Sequence, residues 1–417
     1  MKVLCLMDYG VDVKTGFGTV SNNIKKNLKN YFKKELELDV IGVNHFGESY
    51  IEPDGTTVIS AKLSDFKKDD FGRHQFLKMI KEGNYNGVFI ITDLGVMLDM
   101  LPIIASLHQE KKEMGKKLFK LIWYFPVDCN LFPALVKNID CMEIDLVTYT
   151  EFARKEIYRL KPKLFGKVTV IPHGNNCADF YPINGVERKE FRKKWFGDAA
   201  DKFIITNVNR NQPRKDLPNT ILGFIEAKRK WGNKIKPFLY LHCHPSDPMG
   251  HGLRVIFHQT DLEEGEDFML LPHEYEHSLV DIKTVNLIYN ASDLFITTSL
   301  GEGWGLSITE AFATRLPVIC PATTSMKEIS AYGKRATLLE TIIPFVSPTD
   351  NIIREQTDYM EVGEMIIEVA NKIIDERSST HLKQGSIALK TNEAYKWVTE
   401  NDWKEVCKKW IDKFKNI

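Results

Sequence analysis

The sequence predicts an α/β protein of two Rossmann-like parallel-sheet domains. Short apolar runs alternate with longer amphipathic segments, the alternation occurs twice, and a charged, proline-containing stretch around residues 181–200 separates the two series. The chain of 417 residues is also too long for one ordinary core. Hydrophobic residues at 43% and charged residues at 27% are those of a folded globular protein and exclude wholesale disorder. Lysine plus arginine equals aspartate plus glutamate at 56 each, so nothing global argues for a nucleic-acid binder.

The elements follow in order. The run KVLCLM (2–7) reads as a first buried strand and not as a leader peptide. After it come the glycines of YGVDVKTGFG and a helix with apolar Val20, Ile24 and Leu28 at helical spacing. That helix carries Lys25, Lys26, Lys29, Lys33 and Lys34, either a solvated face over a packed stripe or a dock for an anionic lipid surface or nucleic acid. LDVIGV (38–43), GVFIIT (87–92), KLIWYF (120–125), LVTYT (146–150) and KVTVIP (167–172) continue the first series. FIITNV (203–208), FLYLHC (238–243), FMLLP (268–272), LFITTS (294–299) and LPVICP (316–321) make the second. The segment 391–414 interleaves Trp397, Trp403, Val406 and Trp410 with charges and reads as helical and partly buried. The expected domains are therefore 1–180, 181–390 and a terminal helical segment, 391–417. Seven scattered cysteines without a C-x-x-C pair, and no run of about 18 apolar residues, fit a reduced, cytoplasmic setting.

Three stretches carry chemistry. Gly16, Phe17 and Gly18 sit between a strand and a helix, where backbone N–H groups can approach a diphosphate, although such turns are common. In NVNRNQPRKDL, Arg210 and Lys215 follow a strand and can converge on a diphosphate; a solvated basic loop is the plain alternative. In SLGEGWGLSITEAFA (299–313), Glu302 and Glu310 flank Gly303, Trp304, Gly305 and Leu306, a glycine turn running into a helix. The first turn of that helix is an anion site, and carboxylates beside a phosphate need hydroxyl donors on the same ligand. A phosphate flanked by polyols describes a nucleotide sugar.

These stretches resemble the large retaining glycosyltransferase family 4. SLGEGWGLSITEAFATRLPVICP is similar to its E-x7-E signature, VIPHGNNCADFYP (170–182) to its interdomain segment, NRNQPRKDL to its Arg-x4-Lys clamp and TGFG to its N-terminal glycine loop. LYLHC, LIYNASDLFITTS and WYFPVD resemble a subgroup, and the likeness runs in order over nearly the whole chain. The resemblance implies a GT-B fold: two such domains facing a central cleft, with a C-terminal helix crossing back to the N-terminal, acceptor-binding one. It implies that Arg210 and Lys215 hold a donor diphosphate, helped by amides at Gly16 to Gly18 and at Leu306. Glu302 would then bond the transferred sugar and Glu310 the nucleotide ribose. Departures include Val127 before Asp128 where many members have histidine, Arg315 for a usual glycine, and Thr15 in the N-terminal loop.

A retaining transfer of this kind needs no strong side-chain base, since the leaving diphosphate can take the proton. A double displacement would need a carboxylate nucleophile, for which Asp128 is the candidate. His242 and His244 of HCHP, and the letters H-E-x-x-H at His273 to His277, have a zinc-like spacing but no third ligand segment, so no metal and no cofactor is expected. The expected partners are a UDP- or GDP-sugar donor and an acceptor read by N-domain loops such as 44–75 and 93–100; no obligate protein partner is evident. A nucleotide-sugar epimerase, a sugar phosphorylase, or a binding protein without turnover are the alternatives.

Overall fold

Each apolar run becomes a strand of a parallel sheet, because strands covered on both faces must be apolar throughout. Lys2–Asp8 shows this, with every residue after Lys2 buried. The computed structural model describes residues 1–11, 13, 15–61, 71–231, 236–276, 280–348, 350–378 and 385–417. It divides into two units, residues 1–174 with 403–417, and residues 175–402.

In the first unit eight described strands order as Tyr50–Ile51, Thr57–Ser60, Glu37–Val43, Lys2–Asp8, Gly87–Ile91, Lys120–Phe125, Asp145–Thr148 and Val168–Val170. All pairs are parallel except the edge hairpin formed by the first two. Strand order reverses between Lys2–Asp8 and Gly87–Ile91, and the Gly16–Phe32 helix follows the former. The helix Trp403–Phe414 belongs to this unit, setting Trp410 against Phe89 (5.2 Å between ring centres) and Tyr124 (4.7 Å).

In the second unit six strands order as Phe268–Leu270, Pro237–His242, Phe203–Val208, Leu294–Ile296, Val318–Pro321 and Thr337–Leu339, all parallel. Numbered from Phe203–Val208 this is the order 3-2-1-4-5-6 of a doubly wound dinucleotide fold, whose switch point lies between Phe203–Val208 and Leu294–Ile296. Ile205, Leu217, Phe224, Leu239, Leu294 and Ile366 lie in its main core.

The unit edges, at 174/175 and 402/403, stand against the expected 180/181 and 390/391. Asn175 explains the first: its N–H donates to the Asn401 carbonyl (2.9 Å) and its side-chain amide to Val398 (3.3 Å), tying it to the second unit. The segment 391–414 is helical but interrupted at Asn401 and Asp402, so Ser386–Glu400 stays with the second unit and only Trp403–Phe414 with the first. The lysine-rich helix also differs from an open basic face. Lys25 is buried on Glu52 and Asp54, and Lys29 donates to the Leu36 carbonyl (2.9 Å), leaving Lys26, Lys33 and Lys34 exposed. Among the described residues no helix is long and apolar enough to cross a membrane. Part of the expected acceptor loop, residues 62–70, and His277 lie outside the described residues.

Candidate functional site

The switch point of the second unit is built on a buried polar network. Asn209 donates to Asn207 Oδ1 (2.7 Å), Asn207 to Thr220 Oγ1 (3.1 Å), and Thr220 and Thr298 hydroxyls share a 2.7 Å hydrogen bond. Polar side chains this deep persist because each finds a partner, and the network rigidifies the strand ends. It sews together two loops, one leaving Phe203–Val208 and the other leaving Leu294–Ile296. The Leu300 N–H donates to the Arg214 carbonyl (2.8 Å) and the Thr298 hydroxyl to the Asp216 carbonyl (2.7 Å).

Glu302 is the centre of the joined loops. Its carboxylate is bonded by Lys215 Nζ, by the Ser299 hydroxyl (2.7 Å) and by Arg214 Nη1 (3.2 Å). Burial would raise its pKa, but the charges of Lys215 and Arg214 outweigh it and hold the carboxyl at about 2. It is therefore ionised at neutral pH, with two cations beside it. Gly303, Trp304 and Gly305 follow, and Gly305 holds φ +105°, a left-handed conformation that releases the chain into the helix Leu306–Ala313. Leu306 thus opens the helix, where N–H groups face outward unpaired by helix carbonyls. Trp304 is buried, its carbonyl accepting from the Ser325 hydroxyl (2.7 Å).

Glu310 lies on the same helix with the opposite electrostatics. The Tyr289 hydroxyl donates to its Oε2 (2.8 Å), and burial pushes its pKa up to about 7 against the lowering effect of that hydrogen bond. The two glutamates of this stretch are thus shifted in opposite directions by their surroundings.

Lys215 and Glu302 are brought together at this switch point, Gly303, Trp304, Gly305 and Leu306 follow Glu302 directly, and Glu310 lies about one turn into the helix, on Tyr289. Arg210 follows the same strand, but its guanidinium is bonded to Asp247 and it is Arg214 that reaches Glu302. Arg214, Ser299, Tyr289 and Asp247 are the residues that sequence reasoning passed over. Arg214 adjoins Lys215 and Tyr289 stands in LIYNASD, so both lay inside stretches already singled out.

The remaining candidates lie in the first unit. Thr15 caps the Gly16–Phe32 helix, accepting from the Gly18 N–H (2.9 Å) and donating to Asp8 Oδ2 (2.6 Å). The Gly18 amide is therefore engaged within the cap. Asp128 lies half-buried just beyond Lys120–Phe125, beside the buried Val127. As for the histidines, His242 ends its strand with Nδ1 on the Tyr240 hydroxyl (2.8 Å), its pKa lowered by burial to about 4, and His244 accepts from the Ser246 N–H (3.1 Å). Among the described residues no three His, Cys, Asp or Glu side chains are grouped to hold a metal.

Two doubly wound sheets, one with acid and base meeting at its switch point, define the GT-B class of fold, and solved structures share it over the full chain. Sucrose-phosphate synthase from Thermosynechococcus elongatus superposes with a TM-score of 0.69 at 13% identity, over 100% of this chain and 98% of that one. HepE of Anabaena in complex with UDP-glucose gives 0.66 at 13%, over 100% of both. Residues 279–342, the segment bearing Glu302 and Glu310, match the family model described as glycosyl transferases group 1. The alpha-monoglucosyldiacylglycerol synthase of Acholeplasma laidlawii is 25% identical over 226 residues, 53% of this chain and 52% of that protein. The Escherichia coli UDP-Gal:alpha-D-GlcNAc-diphosphoundecaprenol alpha-1,3-galactosyltransferase is 26% identical over 216 residues, 51% and 48%. The chain spans about half the length of these two relatives.

Proposed function

We propose that the protein is a retaining, metal-independent glycosyltransferase that moves a sugar from a nucleotide-sugar donor to an acceptor hydroxyl. The observation that carries the reading is the convergence of Lys215, Arg214 and Glu302 at the strand-order switch point, directly before the N-terminus of Leu306–Ala313. Phosphate oxygens fit the cations and the helix N–H groups. Sugar hydroxyls fit Glu302, which stays ionised, and ribose hydroxyls fit Glu310. As the nucleoside diphosphate departs, charge grows on its terminal phosphate, and Arg210, Lys215 and the Leu306 amide stabilise it there. These fixed cations supply the charge that a divalent ion would otherwise bring. The departing phosphate accepts the proton of the acceptor hydroxyl, which attacks from the same face.

A UDP-sugar is the favoured donor, in line with the UDP-glucose bound by HepE, and a GDP-sugar is its competitor. The two named relatives point to an acceptor with a lipid portion, for which exposed Lys26, Lys33 and Lys34 offer a face toward anionic headgroups. Seven free thiols suit a reducing, cytoplasmic setting. Asp128 carries the second mechanistic reading, a double displacement. Trapping of a glycosylated Asp128 peptide by mass spectrometry favours that route, and turnover by Asp128→Asn at wild-type rate removes it.

The first test is thermal stabilisation against a panel of nucleoside diphosphates and nucleotide sugars. One nucleotide sugar is expected to raise the wild-type Tm, with the rise abolished in Lys215→Ala. A folded wild-type protein that no member of the panel stabilises overturns the reading.

A further inference from the structure

Arg210 follows the same strand as Lys215 but is paired with Asp247, which lies beyond Pro237–His242 and outside the two joined loops. Arg210 Nε donates to Asp247 Oδ2 at 2.7 Å and Nη2 to Oδ1 at 3.3 Å, a two-point contact along one edge of the guanidinium. The pair is lopsided: the Arg210 side chain is 58% exposed and that of Asp247 only 8%. A buried acid anchors an exposed cation.

The acid is itself fixed from the other side. Asp247 Oδ1 accepts the Met249 N–H (3.0 Å), closing the turn around it. Asn211, the residue after Arg210, then clamps the ends of that turn: it donates to the carbonyls of His251 (2.7 Å) and Pro245 (3.3 Å) and accepts from the His251 N–H (3.0 Å). A Cβ on Gly250 would lie 2.2 Å from the Asn211 carbonyl oxygen, so only glycine allows this approach. The segment that places Asp247 is thus locked to the residue next to the cation it holds.

A guanidinium has five N–H groups in a rigid plane. Asp247 engages the Nε–Nη2 edge, and the terminal Nη1–Nη2 edge is the one that matches two phosphate oxygens. Arg214 and Lys215 are both bonded to Glu302, whereas the acid on Arg210 belongs to neither of the two joined loops and does not have to be displaced. We propose that Asp247 is a positioning residue, which grips Arg210 along one edge so that its other edge is preorganised for the terminal phosphate of the donor's diphosphate. The inference rests on the donor reading above. Its chemical content is narrower: the Asp247–Arg210 pair gives the site its preference for a diphosphate over a monophosphate.

The test compares UDP with UMP, and GDP with GMP, by calorimetric titration of wild type, Arg210→Ala, Asp247→Ala, Asp247→Asn and the Arg210→Ala/Asp247→Ala double variant. The ratio of diphosphate to monophosphate affinity is read within each protein, so partial misfolding, which weakens both ligands, does not imitate the effect. Asp247→Ala is expected to lower that ratio about tenfold, as Arg210→Ala does, and the double variant to lower it no further, because the residues act as one unit. Asp247→Asn, which keeps an oxygen for Met249 and for one arginine donor, falls between. A ratio unchanged or raised in Asp247→Ala while Arg210→Ala lowers it overturns the positioning role and leaves the donor reading intact. Failure of wild type to bind either diphosphate overturns both.

Discussion

Glu302 and Glu310 sit on one short stretch of chain, yet pH should move them in opposite directions. Glu302 is held at about 2, below its unfolded value, so its contribution to stability is complete above about pH 4.5 and fades as pH falls toward 2. Glu302→Gln leaves Lys215 and Arg214 without their countercharge, and we expect a loss of about 3 kcal/mol at pH 7. In melting curves taken along the pH scale, that deficit should close toward pH 2. Glu310 is raised to about 7, so its ionisation costs stability as pH climbs from about 4.5 through 7. Glu310→Gln, which can still accept from Tyr289, should melt higher than wild type at pH 8 and level with it at pH 5; a pH-independent difference would falsify the assignment. The spacing of the two glutamates could be read from the sequence because it is local. Which arginine meets Glu302 could not, since Arg210 and Arg214 are both eligible and the choice is made by Asp247, 37 residues further along. The Tyr289 partner of Glu310 was hidden likewise, 21 residues upstream on a separate helix.

At the scale of elements, one carboxylate binds much of the second unit. Asp293, at the entry to Leu294–Ile296, pairs with Arg188 (2.7 Å) and Arg192 (2.9 Å) of the helix Gly185–Phe196 and with Arg377 (2.6 Å) of the helix Tyr359–Ser378. It also accepts the Ile204 N–H (2.9 Å), so two helices and two strands meet on it. Burial would raise its pKa, but the three arginines together hold it below the usual range. Asp293→Ala should cost about 3–5 kcal/mol, because it leaves buried Arg192 without its counterion. Denaturant unfolding followed by the fluorescence of Trp195 and Trp231 in this unit checks it, and a change under 1 kcal/mol would contradict the role. The strands framing this knot were legible because unbroken apolar runs of four to six residues have few other fates in a soluble chain. Thr57–Ser60, Thr337–Leu339 and the hairpin Ile343–Val346 with Ile353–Gln356 were not, being three or four residues long and partly exposed. Such strands take their structure from the neighbours they pair with, which no local window contains.

For the whole molecule, the unit edges matter more than any single fold label. Two Rossmann-like sheets could be read from two series of strands, and the family resemblance already implied a C-terminal helix on the N-terminal domain; that this helix begins only at Trp403 could not be read, because the helical pattern runs through the whole of 391–414. Trp410 and Phe414 pack on Phe89, and Lys413 pairs with Asp145 (2.6 Å). Removing 403–417 exposes that surface and should abolish the cooperative melting of the first unit while the second still unfolds in its own transition. Calorimetry resolves the two, and an unchanged first transition would show the helix to be dispensable. The connectivity has a consequence for how the protein is made. The chain leaves the first unit at Gly174 and regains it at Trp403, with Asn175 and Asp402 paired as a β-bridge at the base of the intervening unit. On a ribosome the amino-terminal sheet emerges first yet must wait, its Phe89 surface uncovered, until the whole of 175–402 has been synthesised. Of the two units, the one begun earlier is completed later.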